Sequence, residues 1–270
     1  MRADRHSIVL RTLSCALALV MPMVSGLAAA LPADFTAGYE VNREILDRLL
    51  KLGDAQLSLT HTDSSYRYDS RTRPIRVIAL FYGDEVIETS DGRLFGDLIR
   101  PDRYDFVLKG RGAHSDYILF QWGRGEVEQH FKDETVRQRV PQEMFDRLSL
   151  QLAIMSDLAR GARVMQYLVA DRNRIYAYHF EVTGSEHINT PLGDFETVKV
   201  ELTGQQRIAN PESLRDDAIA NMNIPRNGSD DRRTVFWCAP ALDFIPVQVE
   251  YTDRDQSAYR MDLKSLERPK

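Results

Sequence analysis

Cysteine is nearly absent. The chain has two among 270 residues, and Cys15 lies in an amino-terminal stretch that does not read as part of the fold. Cys238 alone remains for the domain. No internal disulfide can form there, so stability has to come from a packed core. Cys238 sits in the strand-like TVFWCAP with no histidine near it in sequence, which reads as a buried structural thiol. Tryptophan is equally scarce, at two. The motifs of common chemistries are missing too: no nucleophile elbow, no phosphate-binding glycine loop, no HExxH.

Positive charge is in deficit. The whole chain stands at −5. Setting aside Arg2, Arg5, Arg11 and Asp4 of the first thirty residues takes the remainder to about −7. That balance argues against nucleic acid as a partner and against a general attraction to anionic lipid, while leaving room for local basic patches.

The first thirty residues carry the one long apolar run. Arg2, Arg5 and Arg11 precede Leu13–Val24, and Ala28, Ala29 and Ala30 follow as a small-residue cleavage site. This is the pattern of a secretory signal peptide over residues 1–30. The run is shorter than the ~20 residues that span hydrocarbon. The expectation is export to the periplasm, with no transmembrane segment after cleavage. Residues 31–270 are expected to form one domain.

One long helix is legible in that domain. In Pro141–Gly161, Phe145, Leu148, Leu152, Met155 and Leu158 recur every three or four residues, and Ile154 widens the stripe. Asp146 or Pro141 marks its first turn and Gly161 its stop. Almost everything else alternates with the two-residue period of strands. Phe35, Ala37, Tyr39 and Val41 open the series. Tyr104, Phe106 and Leu108 continue it, as do Tyr176, Tyr178, Phe180 and Val182. Val247, Val249 and Tyr251 come near the end, before Tyr259, Met261 and Leu263.

Gly53-Asp54 and Asp91-Gly92 read as turns, and Gly184 as a strand end. Leu94–Arg103 reads as an irregular link, Ile75–Tyr82 as a strand, and Lys132–Gln142 as a charged lead into the helix. TPLGD at Thr190–Asp194 reads as a hairpin turn. Residues 205–233 read as a long polar loop with a short helix across Pro211–Ala220. Pro240 and Pro246 each mark an edge, strand start or bulge. The fold class is mainly β: a large curved antiparallel sheet or open barrel of about eleven strands, with one amphipathic helix packed on it.

A concave sheet can hold a ligand in a groove. Tyr176, Tyr178, Phe180, Trp122 and Trp237 are candidates to line it, and equally suited to fill the space solidly. His179 and Glu181 share one strand face with His187 across a turn, which is too few ligands for a usual zinc site. No carboxylate pair stands out as catalytic. No metal or cofactor is expected.

Six segments carry a resemblance. They are FTAGYEV at Phe35–Val41, RPDRY at Arg100–Tyr104, FQW at Phe120–Trp122, DRLSLQLAIM at Asp146–Met155, YHFEVTGSEHINTPLGDFETVKV at Tyr178–Val200, and WCAPALDFIPVQVEY at Trp237–Tyr251. In these the chain resembles the DUF3108 family of exported bacterial proteins. The resemblance implies an exported, mainly β domain with no agreed activity and no catalytic residues to carry over. The leading functional reading is a non-catalytic binding or carrier module for an apolar or lipid-like envelope component. A protein-interaction factor in envelope assembly is an alternative, and an envelope-directed hydrolase a third.

Overall fold

The computed structural model describes residues 31–45, 48–75, 78, 85–141, 143–214, 222–225, 233–252 and 257–269. Its strands are β1 (Phe35–Ile45), β2 (Arg48–His61), β3 (Ser65–Pro74), β4 (Glu85–Phe95), β5 (Leu98–Lys109), β6 (His114–Gln121), β7 (Glu126–Phe131) and β8 (Glu134–Arg139). After the helix α1 (Arg147–Ala159) come β9 (Val164–Asp171), β10 (Arg174–Thr190), β11 (Gly193–Ile208), β12 (Arg233–Ala239), β13 (Ile245–Thr252) and β14 (Ala258–Glu267). All fourteen lie in one antiparallel sheet, ordered β8-β7-β6-β5-β4-β3-β2-β1-β14-β13-β12-β11-β10-β9. The curved mainly β fold is as the alternation predicts, with more strands.

Two meanders share this sheet, and they join where β1 pairs with β14. β8 and β9 are therefore its two edges, and the chain passes from one edge to the other through α1. The sheet curls until those edges approach. Gln129 of β7 donates from Nε2 to the carbonyl oxygens of Arg172 and Arg174, at 2.9 and 3.0 Å, in the β9–β10 turn region. Phe145 sits beside β9: its N–H donates to Leu168 O at 2.9 Å, and its carbonyl accepts from Ala170 N at 2.8 Å. Phe145 thus precedes the helix and holds the sheet margin. No ladder joins β8 to β9, so the barrel stays open.

Asp146 caps α1, accepting from the backbone N–H groups of Leu148 and Ser149, while Ser149 Oγ accepts from Asp146 N. This is a capping box. The expected stripe is buried, but so are Ser149, Leu150, Ala153 and Ser156, making nine buried residues of thirteen. A helix merely laid on a sheet would bury about half its surface. This one is enclosed by the curl, against β9, β3, β4 and β5. Its end is as expected: Gly161 takes φ 84°, left-handed backbone that glycine accepts without steric cost.

Several punctuation residues lie inside strands. Gly53 is in β2 opposite Pro74, and Gly92 is in β4 opposite Pro101, with register shifts nearby. At each, a Cβ would stand 2.3 Å from a carbonyl oxygen of the facing strand, Arg73 O or Arg100 O. Glycine is required there by close backbone approach at a bend, and the reading of turns is corrected. The turn expected near Gly92 lies instead at Gly96, with φ 61°, so most of Leu94–Arg103 is strand. Gly184 marks a register shift within β10, which continues to Thr190. The TPLGD hairpin is present, and its tip bonds Leu192 N to Leu263 O at 3.1 Å. The lead into the helix contains β8, a short charged edge strand. Pro246 is the second residue of β13, opposite Cys238 at a register shift.

The expected strand Ile75–Tyr82 falls mostly outside the described residues, as does much of 205–233. Within the latter, β11 runs on to Ile208, a 3-10 turn spans Pro211–Ser213, and Ile224 is buried. A Cβ at Gly204 would meet Pro225 O at 2.8 Å. Residues 222–225 therefore lie tightly on β11, so this part of the polar segment packs on the sheet.

Candidate functional site

At the end of the curl where α1 begins, a cavity of about 310 Å³ opens beside the helix. Its walls come from β5, β6 and the β7–β8 and β9–β10 turns. Tyr104, Phe106, Ile118 and Phe131 supply apolar surface; His114, Asp116, Lys132, Arg147, Asp171 and Arg172 supply polar groups. The alternation of β5 and β6 puts Tyr104 and Phe106, and likewise His114, Asp116 and Ile118, on one side.

Arg147, the first residue of α1, forms an ion pair with Glu88 of β4. Tyr104 Oη donates to the same Glu88 Oε1 at 2.5 Å. Glu88 drives the Arg147 guanidinium further into its charged form, and burial pushes the Tyr104 phenol well up, which keeps it a neutral donor. Arg147 still presents 42 % of its side chain to the opening. Asp116 is held at the wall by Lys132 N, 2.8 Å from its Oδ1, with His114 Nε2 3.5 Å away.

The rim is formed by two facing hairpin turns. Lys132 leads one with φ 57°, and Arg172 leads the other with φ 56°. Left-handed backbone is uncommon for residues with a long side chain. Both cations rest on Phe131, with Lys132 Nζ 5.4 Å and Arg172 Cζ 5.6 Å from its ring centre. Asn173 Nδ2 donates to Glu134 Oε2 at 3.2 Å across the gap.

The residues expected to line a groove are placed elsewhere and apart. Tyr176, Tyr178 and Phe180 follow one another along one face of β10, with ring centres 5.9 and 6.2 Å apart. Phe180 also meets Tyr167 and Phe236, so this row is part of the packed core. Trp122 stacks on Phe120, donates to Pro101 O at 2.7 Å, and lies under Arg100. Trp237 donates to Glu186 Oε2 at 2.8 Å and carries Lys199 on its ring. None of the five lines the cavity.

His179 and Glu181 do meet, at 2.9 Å, and Gln166 bonds the other imidazole nitrogen. His187 pairs with Glu196 instead. Cys238 is fully buried and its thiol is pushed up by that burial, which makes it a poor nucleophile. Sequence reasoning missed Arg147, Lys132 and Arg172. Arg147 belongs to the polar side of the helical pattern, and the two rim cations look like ordinary turn residues. The usable signal was the alternating pair Tyr104 and Phe106, which is legible as an aromatic face.

No described helix is long and apolar enough to cross a membrane. The model of the DUF3108 family, described as a protein of unknown function, matches residues 34–264. No curated protein matches at a significant level. Among solved structures, the chain is similar to the β-barrel-like protein of the domain of unknown function DUF1849 from Brucella abortus. The identity is 10 %, with 89 % of this chain and 100 % of that one covered and a TM-score of 0.51. This shows a shared fold alone. A DUF1329 family protein from Desulfovibrio piger, at 10 % identity, covers 89 % of this chain and 87 % of its own with a TM-score of 0.27. That likeness is too loose to carry an argument.

Proposed function

This chain belongs to the DUF3108 family, and from that membership we propose that it is a non-catalytic binding module of the periplasm that holds an apolar or lipid-like component of the cell envelope. The observation that carries the reading is the open cavity at the head of α1. It is concave, walled by Tyr104, Phe106, Ile118 and Phe131, and edged with a few polar groups. Ligand sites have this composition, and their volumes begin near ~300 Å³. A cavity of about 310 Å³ admits one chain or ring of modest size and excludes a whole two-tailed lipid. The bound species on this reading is a single-chain amphiphile or one arm of a larger one.

The test is native mass spectrometry of protein purified from the periplasm, with extraction of anything bound. A stoichiometric amphiphile supports the reading. Loading with a series of single-chain amphiphiles then gives saturable binding that Phe106→Trp abolishes by filling the cavity. Failure of every amphiphile to bind would overturn it.

One observation favours a protein-interaction role instead. Phe95 and Leu98 stand 51 % and 41 % exposed at the β4–β5 hairpin tip. Large exposed apolar side chains together on one tip suit a partner surface. Crosslinking from this tip in intact cells would give a specific protein adduct on that reading, and none on the carrier reading.

A further inference from the structure

Resting on the binding reading above, we propose that the cavity selects a ligand with an anionic head, a carboxylate or a phosphate, and that Lys132 and Arg172 form the clamp that reads it. Three cations line the opening: Lys132, Arg147 and Arg172. The acidic groups near them are mostly committed. Glu88 is taken by Arg147 and Tyr104. Asp116 accepts the Lys132 backbone N–H and lies beside His114. Asp171 is the remaining lining carboxylate, and its charge acts on Arg147.

Lys132 and Arg172 differ from four surface arginines of the neighbouring strands. Arg67, Arg93, Arg103 and Arg137 each have a carboxylate at 2.6–2.9 Å. Lys132 and Arg172 are instead held over Phe131, from two different turns, with their charged ends at the cavity rim. An aromatic face attracts a cation without neutralising its charge. Both residues also occupy left-handed backbone, where asparagine or glycine is easier to place. A guanidinium and an ammonium held over one aromatic ring beside an apolar hollow match an amphiphile whose charged head stays at the rim while its chain goes in.

The experiment is calorimetric titration of the secreted protein with four probes: dodecanoate, dodecyl phosphate, dodecanol and inorganic phosphate. The proposal expects both anionic amphiphiles to bind at least about tenfold tighter than dodecanol, a difference of ~1.4 kcal/mol, with affinity falling as salt rises. The double variant Lys132→Asn, Arg172→Asn removes both charges while keeping residues that accept the left-handed turn. It should bring the anionic probes down to the dodecanol level and leave dodecanol unchanged. Asp171→Asn should tighten both anions.

Equal binding of dodecanol and dodecanoate would overturn the clamp and leave the carrier reading standing. Binding of inorganic phosphate with no amphiphile bound would overturn the carrier reading and keep an anion site. Binding of no probe would overturn both. Circular dichroism of the double variant, matched to the parent, ties any loss to the charges.

Discussion

Ser90 of β4 donates from Oγ to Asp146 Oδ2 at 2.7 Å, fastening the start of α1 to the middle of the sheet. A serine hydroxyl has one proton, so the contact between Tyr66 Oη and Ser90 Oγ, at 3.1 Å, runs the other way, with Tyr66 donating. Tyr66, Ser90 and Asp146 thus form a directed chain, and Ser149 Oγ adds a further donor to Asp146 at 2.8 Å. All four residues are buried. Ser90→Ala strips a donor from the carboxylate and an acceptor from Tyr66, at an expected cost of ~1–3 kcal/mol. Urea unfolding measures it, and a loss under ~0.5 kcal/mol would show the chain to be dispensable.

The same carboxyl gives a pH signature. Burial raises the Asp146 pKa above the ordinary aspartate value, with the bonds from Ser149, Ser90 and Leu148 pulling the other way. The folded value thus lies above the unfolded one, near ~3.9. The linked stability is full below the unfolded value and is lost as pH rises through the folded one. Compared with Asp146→Asn, the parent protein should be relatively most stable at the acid end and lose that advantage as pH rises from about 4. Paired urea titrations across this range decide it, since parallel curves contradict the raised value.

Gly53→Ala and Gly92→Ala each place a methyl group against facing backbone at 2.3 Å. Each is expected to cost ~2 kcal/mol or more, because backbone on both sides must shift. Gly184→Ala, with nothing within 4 Å of its added Cβ, is the control and should stay within ~0.5 kcal/mol. Similar losses at all three positions would mean that backbone freedom, rather than strand proximity, selects glycine.

Gln129 bridges β7 to the β9–β10 turn through two bonds from one amide. Gln129→Ala leaves both carbonyls without that partner, and amide exchange should quicken around the turn while the β1–β14 pairing keeps its protection. A uniform rise across the sheet would show global destabilisation instead of a loosened margin.

Cys238 is sealed off and its thiol held in the unreactive form by burial. A thiol reagent should leave the folded protein unmodified and react once per chain after denaturation. Two thiols per chain would show that the segment holding Cys15 had been kept, and rapid reaction before denaturation would refute the burial.

The sheet and helix were legible because each strand alternates and because Asp146 and Gly161 delimit a helical stripe. Gly53 and Gly92 misled for a common reason. Glycine serves a tight turn and a close approach between strands equally well, and a single sequence cannot separate the two until the pairing is known. The enclosure of α1 was hidden because Ser149 and Ser156 are polar by type, yet both are buried in the structure. The cavity was hardest to foresee. Phe131 and Arg172 belong to opposite ends of the sheet order, and only the curl brings them to one opening. Tyr176, Tyr178 and Phe180 were conspicuous as an aromatic row, and rows of that kind serve equally to pack a core.

The joint between β1 and β14 sets an order of events for folding during synthesis. Residues 35–45 are made well before their partners at 258–267. Until then β1 pairs on one side only, with β2, and its other row of peptide groups is exposed to any passing extended chain. A pairing between segments so far apart in sequence also forms slowly once both partners are present. During that delay the half-made sheet is an attractive client for a holdase chaperone. Truncations that remove β14 should accumulate in aggregates or with proteases, and a β14 peptide supplied in trans should rescue them.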